Sequence, residues 1–432
     1  MCTRTLIVIA LFATCTHPAF GQNLLTNPGF GRDLSGWTPS TYFNFNPSPG
    51  LAEASVGWSP EDAPGSGASG SVSLHAYAVY ENLTKATVGQ CVLLPPGSLV
   101  SFGAKVRTSR EFMTAVSVLV NFFPASDCGG DLLGWAEARG LPSTFTETNS
   151  GGLWLDTTSQ ALVPPGSRSA LYQILADGSS TRMYYKAYVD ALVDDAFLTA
   201  TPVQTSTWIL PTSANLPGVG GSYWTTNLTL TNPGSVDAAV TLQFLGHDVD
   251  GRNAPRYSLV VKSGGLITLE DVLGNYFFSG HTDFGGIRIT SSSTTLVVTS
   301  ETSTFLDLVG TVGESLPAAG PSDLVGNVPR TLAPIRENTR FRTNLVLANA
   351  TEAPLVVTLK LYDPDGLLLG FQDVPLQPLE MTQLNRVAQK LGVAELPAGW
   401  ISVSTPTPGG LFAAYASVID NGTNDPRALL PR

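Results

Sequence analysis

Short runs in which apolar and polar residues alternate fill the chain from residue 23 onwards, and Gly, Pro, Ser and Asp punctuate them. Period-two alternation is what a strand with one buried face requires. Along Ser71–Val79, Val72, Leu74, Ala76 and Ala78 fall on one face, with Ser73, His75 and Tyr77 on the other. Val116, Val118, Val120 and Phe122 alternate in the same way with Ser117, Leu119, Asn121 and Phe123. Pro95-Pro96-Gly97 and Pro164-Pro165-Gly166 each place a turn ahead of an apolar strand. No helix of useful length is signalled before residue 200, so the pattern predicts a β-sandwich there.

Beyond residue 211 the sequence repeats itself. TTNLTLTNPGSVDAAVTL (225 to 242) aligns with RTNLVLANATEAPLVVTL (342 to 359), and eight of the eighteen positions are identical. Both copies then reach an Asp-x-Asp-Gly turn, at 248 to 251 and 363 to 366. A short helix follows in each: Leu269, Val272, Leu273 and Tyr276 match Leu384, Val387, Ala388 and Leu391 at i, i+3, i+4 and i+7. Gly286-Ile287-Arg288-Ile289 and Gly399-Trp400-Ile401-Ser402 open the closing strands. Copies of this size predict two immunoglobulin-like sandwiches, stacked or beaded, rather than a solenoid.

The first 21 residues combine Arg4, the apolar stretch Leu6–Ala13 and the small-x-small run Ala19-Phe20-Gly21. That is the pattern of a secretory signal cleaved before Gln22. Neither this stretch nor a later one reaches the roughly 18 apolar residues that a membrane-spanning helix needs. An exported protein without membrane insertion is therefore expected. Of the four cysteines, Cys2 and Cys15 leave with the leader. In an oxidising compartment the remaining Cys91 and Cys128 are expected to form a disulfide, the alternative being two buried thiols. Net charge is -11, but only 13% of residues are charged. Mild acidity on a polar surface speaks against nucleic acid and anionic membranes; it suits neutral ligands such as glycans, and the solubility of an exported protein accounts for it equally well.

NLLTNPGFGRDLSGW (23 to 37), with its Asn-Pro-Gly turn, Phe30 and Gly36-Trp37 pair, resembles the first strand of carbohydrate-binding modules of families 4 and 9. YVDALVDDAFL (188 to 198) resembles their last strand. The resemblance implies an N-terminal jelly roll that binds polysaccharide, with Trp37 in its core. The C-terminal half resembles the repeated β-modules at the ends of exported bacterial proteins, a likeness that names no ligand. The expected fold class is all-β throughout. Its parts are a signal peptide over 1 to 21, a jelly roll over 22 to 200, a Thr- and Pro-rich linker over 201 to 211, and sandwich repeats over 212 to 322 and 323 to 432.

Sugar recognition needs flat apolar surface for pyranose C–H faces, and amides or carboxylates for the hydroxyls. Family 4 modules place their ligand on a concave sheet face. The outward residues His75 and Tyr77, and Asn121 and Phe123, are expected to line that face, with Trp58, Trp135 and Trp154 at its rim. The competing role for these tryptophans is core filling. The resemblance also implies a structural calcium held by an acid after the first-strand Phe and an Asp of the last strand. Gly31 stands where the acid belongs, so Asp33 and Asp195 are the expected ligands, with Asp190 and Asp194 nearby. Calcium takes six to eight oxygens, which backbone carbonyls would complete. Otherwise Asp194 and Asp195 cap a sheet edge.

The remaining motifs carry less chemistry. The Asp-x-Asp-Gly motifs lack the Glu of an EF-hand loop and read as turns. GSGASG (65 to 70) is followed by a strand, so no helix N-terminus receives a phosphate and it reads as a flexible loop. Beyond the leader the histidines are His75, His247 and His281, none of them in the second repeat, and neither G-x-S-x-G nor H-E-x-x-H occurs. Nothing resembles a glycosidase domain with its facing carboxylates. A non-catalytic polysaccharide binder is therefore expected, its repeats serving as spacer or as docking modules for cell-surface or extracellular proteins. The alternative is an extracellular or cell-surface scaffold without glycan affinity. An outer face of aromatics and amides favours the first, and one of Leu and Val the second.

Overall fold

The computed structural model describes residues 21–44, 51–64, 70–79, 82–95, 97–112, 115–139, 150–179, 186–218, 221–278, 282–306 and 310–432. The leader before Gly21, most of the 65 to 70 loop and His281 lie outside the described residues. Ten strands build the first sandwich: β1 (Thr38–Phe43), β2 (Ala52–Ser59), β3 (Ser71–Val79), β4 (Thr84–Leu93), β5 (Ser98–Phe112), β6 (Ala115–Phe123), β7 (Gly134–Arg139), β8 (Leu155–Leu162), β9 (Ser169–Asp177) and β10 (Lys186–Pro202). They form two five-stranded sheets in the orders β1-β4-β9-β6-β7 and β2-β3-β10-β5-β8. Every pairing is antiparallel. The apolar rows read from β3 and β6 are buried as the alternation predicts, all but Ala78 in one cluster between the sheets.

Phe30, Trp37 and Tyr172 anchor that core, with ring centroids 4.9 Å apart for the first pair and 5.8 Å for the second. Trp37 Nε1 donates to the Asn27 carbonyl and Tyr172 Oη to that of Gly103, so both polar tips are satisfied in the interior. Residues 23 to 37 do not form the expected first strand. Asn27 and Phe30 take positive φ, and the Asn27 side chain spans the turn by accepting from Gly31 N and donating to the Asp33 and Ser35 carbonyls. The segment instead docks on β10, with Leu24 N donating to Leu198 O and Asn23 clamping the Ala196 carbonyl and Leu198 N–H.

The Thr- and Pro-rich stretch read as a linker runs into a new strand. Of residues 201 to 211 only 203 to 205 lie between strands, because β11 begins at Ser206 and buries Ile209 and Leu210 completely. Thr and Pro mark a linker by composition, but the apolar Trp-Ile-Leu within this stretch needs a core.

The remaining elements are β11 (Ser206–Pro217), β12 (Tyr223–Thr231), β13 (Ala238–Gly246), β14 (Arg256–Val261), β15 (Leu266–Leu269), α1 (Val272–Tyr276), β16 (Asp283–Ser291), β17 (Val297–Leu306) and β18 (Gly310–Pro317). After them come β19 (Arg330–Glu337), β20 (Phe341–Asn349), β21 (Leu355–Tyr362), β22 (Leu368–Leu376), β23 (Met381–Leu384), α2 (Val387–Lys390), β24 (Leu396–Ser404), β25 (Phe412–Asp420) and β26 (Pro426–Leu429). The second set forms sheets β19-β24-β21-β22 and β23-β20-β25-β26. The first set follows the same orders, β11-β16-β13-β14 and β15-β12-β17-β18, joined where Asn215–Pro217 pairs with Tyr223–Thr225. Both keep the pairing of second with fifth and third with sixth strands found in immunoglobulin sandwiches, and both place the last two strands beside the second.

The residues shared by the two copies do the same work in each. Asn227 Oδ1 accepts from Asp271 N and Asn344 Oδ1 from Arg386 N, which holds the left-handed residue that opens each helix. Asn232 and Asn349 are fully buried; Asn232 Nδ2 donates to the Val236, Val261 and Lys262 carbonyls, and Asn349 Nδ2 to those of Ala353 and Gln377. The apolar helix positions Val272, Leu273, Val387 and Ala388 are buried as the periodicity predicts. One apolar cluster is continuous across the two copies, since Val346, Ala348, Met381 and Tyr415 pack with Ile209, Leu228 and Ile287.

Candidate binding face

The strongest grouping of polar and aromatic side chains lies on the outward face of the sheet that holds β3. Antiparallel partners project to the same face. Glu53, Tyr77 and Tyr188 therefore form one cross-strand row, and Ser55, His75 and Asp190 the next. His75 Nδ1 lies 2.5 Å from Asp190 Oδ1, and its Nε2 lies 4.0 Å from Glu53 Oε2. The imidazole is thus held between two carboxylates, with Tyr77 and Tyr188 on the row beside it. Arg107, opposite Leu192, continues the face. Its guanidinium pairs with Glu61 and lies 5.3 Å from the Trp154 ring centroid. The result is a strip of half-buried rings interleaved with donors and acceptors.

This arrangement divides the five residues expected to meet a ligand. His75 and Tyr77 share the face, as do Tyr188, Asp190 and Glu53. Asn121 and Trp135 are neighbours of each other, but on the outward face of the opposite sheet. Asn121 Nδ2 donates to Gln173 Oε1 at 3.0 Å, and Trp135, 41% exposed, lines a crevice with Leu132, Asn253 and Arg256 where the first sandwich meets the first repeat. There Arg256 Nη1 donates to the Leu133 carbonyl. Alternation tells inward from outward, but the outward sides of two packed sheets point in opposite directions. Trp58 is a third case. It stands opposite Val72 on the core-facing row of an edge strand, and its Nε1 donates to the Phe30 carbonyl at 2.7 Å.

Tyr188 and Glu53 are the residues that sequence reasoning missed. The signal for Tyr188 was present: Tyr188, Asp190 and Leu192 alternate with the buried Val189, Ala191 and Val193. Only the register of β3 against β10 sets Tyr188 beside Tyr77.

The acids expected to hold calcium make other contacts in this structure. Asp33 accepts from Ser35 through its side chain and backbone, hydrogen bonds that lower its pKa. The Asp195 carboxylate is held by the Lys105 ammonium at 2.8 Å, a contact that raises the lysine pKa. Asp194 is fully buried and caps the backbone N–H groups of Ala63 and Asp195. Among the described residues no group of three or more His, Cys, Asp or Glu side chains is placed to hold a metal. Cys91 and Cys128 form the expected disulfide, with Cα atoms 6.0 Å apart.

No family model matches the chain, and no curated protein matches it. Solved structures with partial likeness include the enzymatically active domain of tailspike protein 4 from bacteriophage CBA120, with 14% identity and a TM-score of 0.29. That alignment covers 41% of this chain and 21% of the tailspike domain. TmCBM61, solved with β-1,4-galactotriose, aligns at 18% identity over 42% of this chain and 99% of its own, with a TM-score of 0.25. The tandem CBM22-1-CBM22-2 domain of Paenibacillus barcinonensis Xyn10C aligns at 11% identity over 96% and 99% of the two chains, with a TM-score of 0.26. Similarity at these levels assigns neither a family nor a ligand to this chain.

Proposed function

We propose that the N-terminal jelly roll is a non-catalytic carbohydrate-binding module, of the family 4 and 9 type, and that the outward face of its β2-β3-β10-β5-β8 sheet receives an extracellular polysaccharide. One observation carries the reading: Tyr77 and Tyr188 pair across strands beside the Glu53–His75–Asp190 group. Tyrosine rings offer flat apolar surface to sugar C–H faces, and the carboxylates and imidazole suit hydroxyl groups. A face of this make-up, rather than one of Leu and Val, favours glycan binding over a scaffold without glycan affinity. The repeats then act as spacer or docking modules in an exported protein.

The test is affinity electrophoresis and pull-down of the full chain on β-glucan, xylan and galactan, beside three single variants. Tyr77→Ala and Tyr188→Ala are expected to weaken binding at least about tenfold, near 1.4 kcal/mol. Trp135→Ala, on the other sheet, should leave it unchanged. Retention that survives both tyrosine substitutions, or its absence on every glycan with a folded chain, overturns the reading.

A further inference from the structure

The two repeats line a half-open cleft of about 310 Å³. Strands β11, β12 and β16 to β18 wall one side, and β20, β23, β25 and β26 the other. The rings of Trp224 and Phe284 line it together with Arg342, Glu314, Asn344 and Gln383. At that size the cleft has room for a sugar ring.

Its charges are unusual. Arg342 donates to Asn421 Oδ1 at 2.8 Å and to Asn424 Oδ1 at 3.2 Å, both uncharged acceptors. Among the described residues no carboxylate lies within ion-pair distance of it, and burial with the nearby Arg386 lowers its pKa. A partly desolvated guanidinium beside a like charge is costly, and an anion that enters with it removes the cost. Two of its donors are taken, so part of the planar fork remains for a carboxylate. Glu314 also lines the cleft. Tyr415 Oη and Ser417 Oγ donate to its two oxygens at 3.3 and 3.2 Å, and burial biases it toward the neutral acid, which has a proton to share with a hydroxyl.

We propose that the cleft between the repeats binds a hydroxylated carboxylate of the hexuronate class. Its carboxylate meets Arg342, its hydroxyls meet Glu314, Asn344 and Gln383, and its C–H face lies against Trp224 or Phe284. This site shares no residue with the sheet face of the first sandwich, so the failure of either proposal leaves the other standing.

The experiment is isothermal titration of the full chain with D-glucuronate and D-galacturonate, with glucose and acetate as separate arms and thermal melting in parallel. At least one uronate is expected to bind and to raise the melting temperature. Glucose, which lacks the anion, and acetate, which lacks the ring, should each bind at least about tenfold more weakly. Arg342→Gln should remove the preference for uronate over glucose. Trp224→Leu, on the opposite wall, should weaken uronate binding while keeping that preference. No uronate binding to the wild-type chain at tens of millimolar overturns the proposal. Equal binding of glucose, equal binding of acetate, or an unchanged preference in a folded Arg342→Gln chain does so as well.

Discussion

Thr229 and Val346 hold the same place in the two repeats, opposite β15 and β17 in the first and opposite β23 and β25 in the second. Thr229 meets Thr268 through its hydroxyl at the surface, whereas Val346 is fully buried in the apolar cluster that joins the repeats. The same strand therefore faces solvent in one copy and its neighbouring repeat in the other.

A charge placed at these equivalent positions should separate the two environments. Val346→Asp buries an unpaired carboxylate and is expected to destabilise the repeats by more than about 3 kcal/mol. Thr229→Asp should stay within about 0.5 kcal/mol of the parent. Urea unfolding of both variants checks this, and equal costs would mean that the repeats do not share a core.

Stability at the joint should depend on pH through Glu314. Desolvation raises its carboxyl from an ordinary 4.5 to about 7 in the folded chain, with Asp425 adding to the effect. The folded state therefore binds the proton more tightly than the unfolded state. The contribution is fully present below pH 4.5, falls as pH rises through 7, and is flat above. Its size is on the order of 3 kcal/mol. Glu314→Gln should flatten the difference in urea midpoint between pH 4.5 and pH 8 relative to the parent. Parallel pH profiles for parent and variant would sink the idea.

The disulfide closes a loop of 37 residues between β4 and the turn after β6. Constraining the unfolded chain over that length is worth about 2–4 kcal/mol. Replacing Cys91 and Cys128 by Ser should lower the denaturant midpoint of the N-terminal sandwich by a corresponding amount and leave the repeats unaffected. Urea unfolding of the parent and the double variant checks this.

Much of the fold was legible along the chain, and the site only in part. Alternation in Ser71–Val79 and Val116–Phe123 identified the buried rows, and the 3.6-residue period located both short helices. Asn227/Asn344 and Asn232/Asn349 are identical in the two copies, but that their side chains replace missing backbone hydrogen bonds shows only in the structure. The acids of the calcium expectation are a separate matter, because which partner holds each carboxylate depends on segments far apart in the chain. For Asp195 that partner is Lys105, 90 residues away.

Pleat, turn chemistry and helical period are local, so the sequence by itself determined the all-β class, which residues of each strand point inward, and the duplicated half. Sheet membership and strand register depend on pairings between distant segments, such as Tyr77 with Tyr188. Only the tertiary structure decided that His75 and Tyr77 face away from Asn121 and Trp135, because side chains that all point outward from a two-layer sandwich separate onto opposite surfaces. It also decided that a valine in place of a threonine at position 346 is an interface: a neighbouring repeat, not the strand's own pattern, removes that face from water.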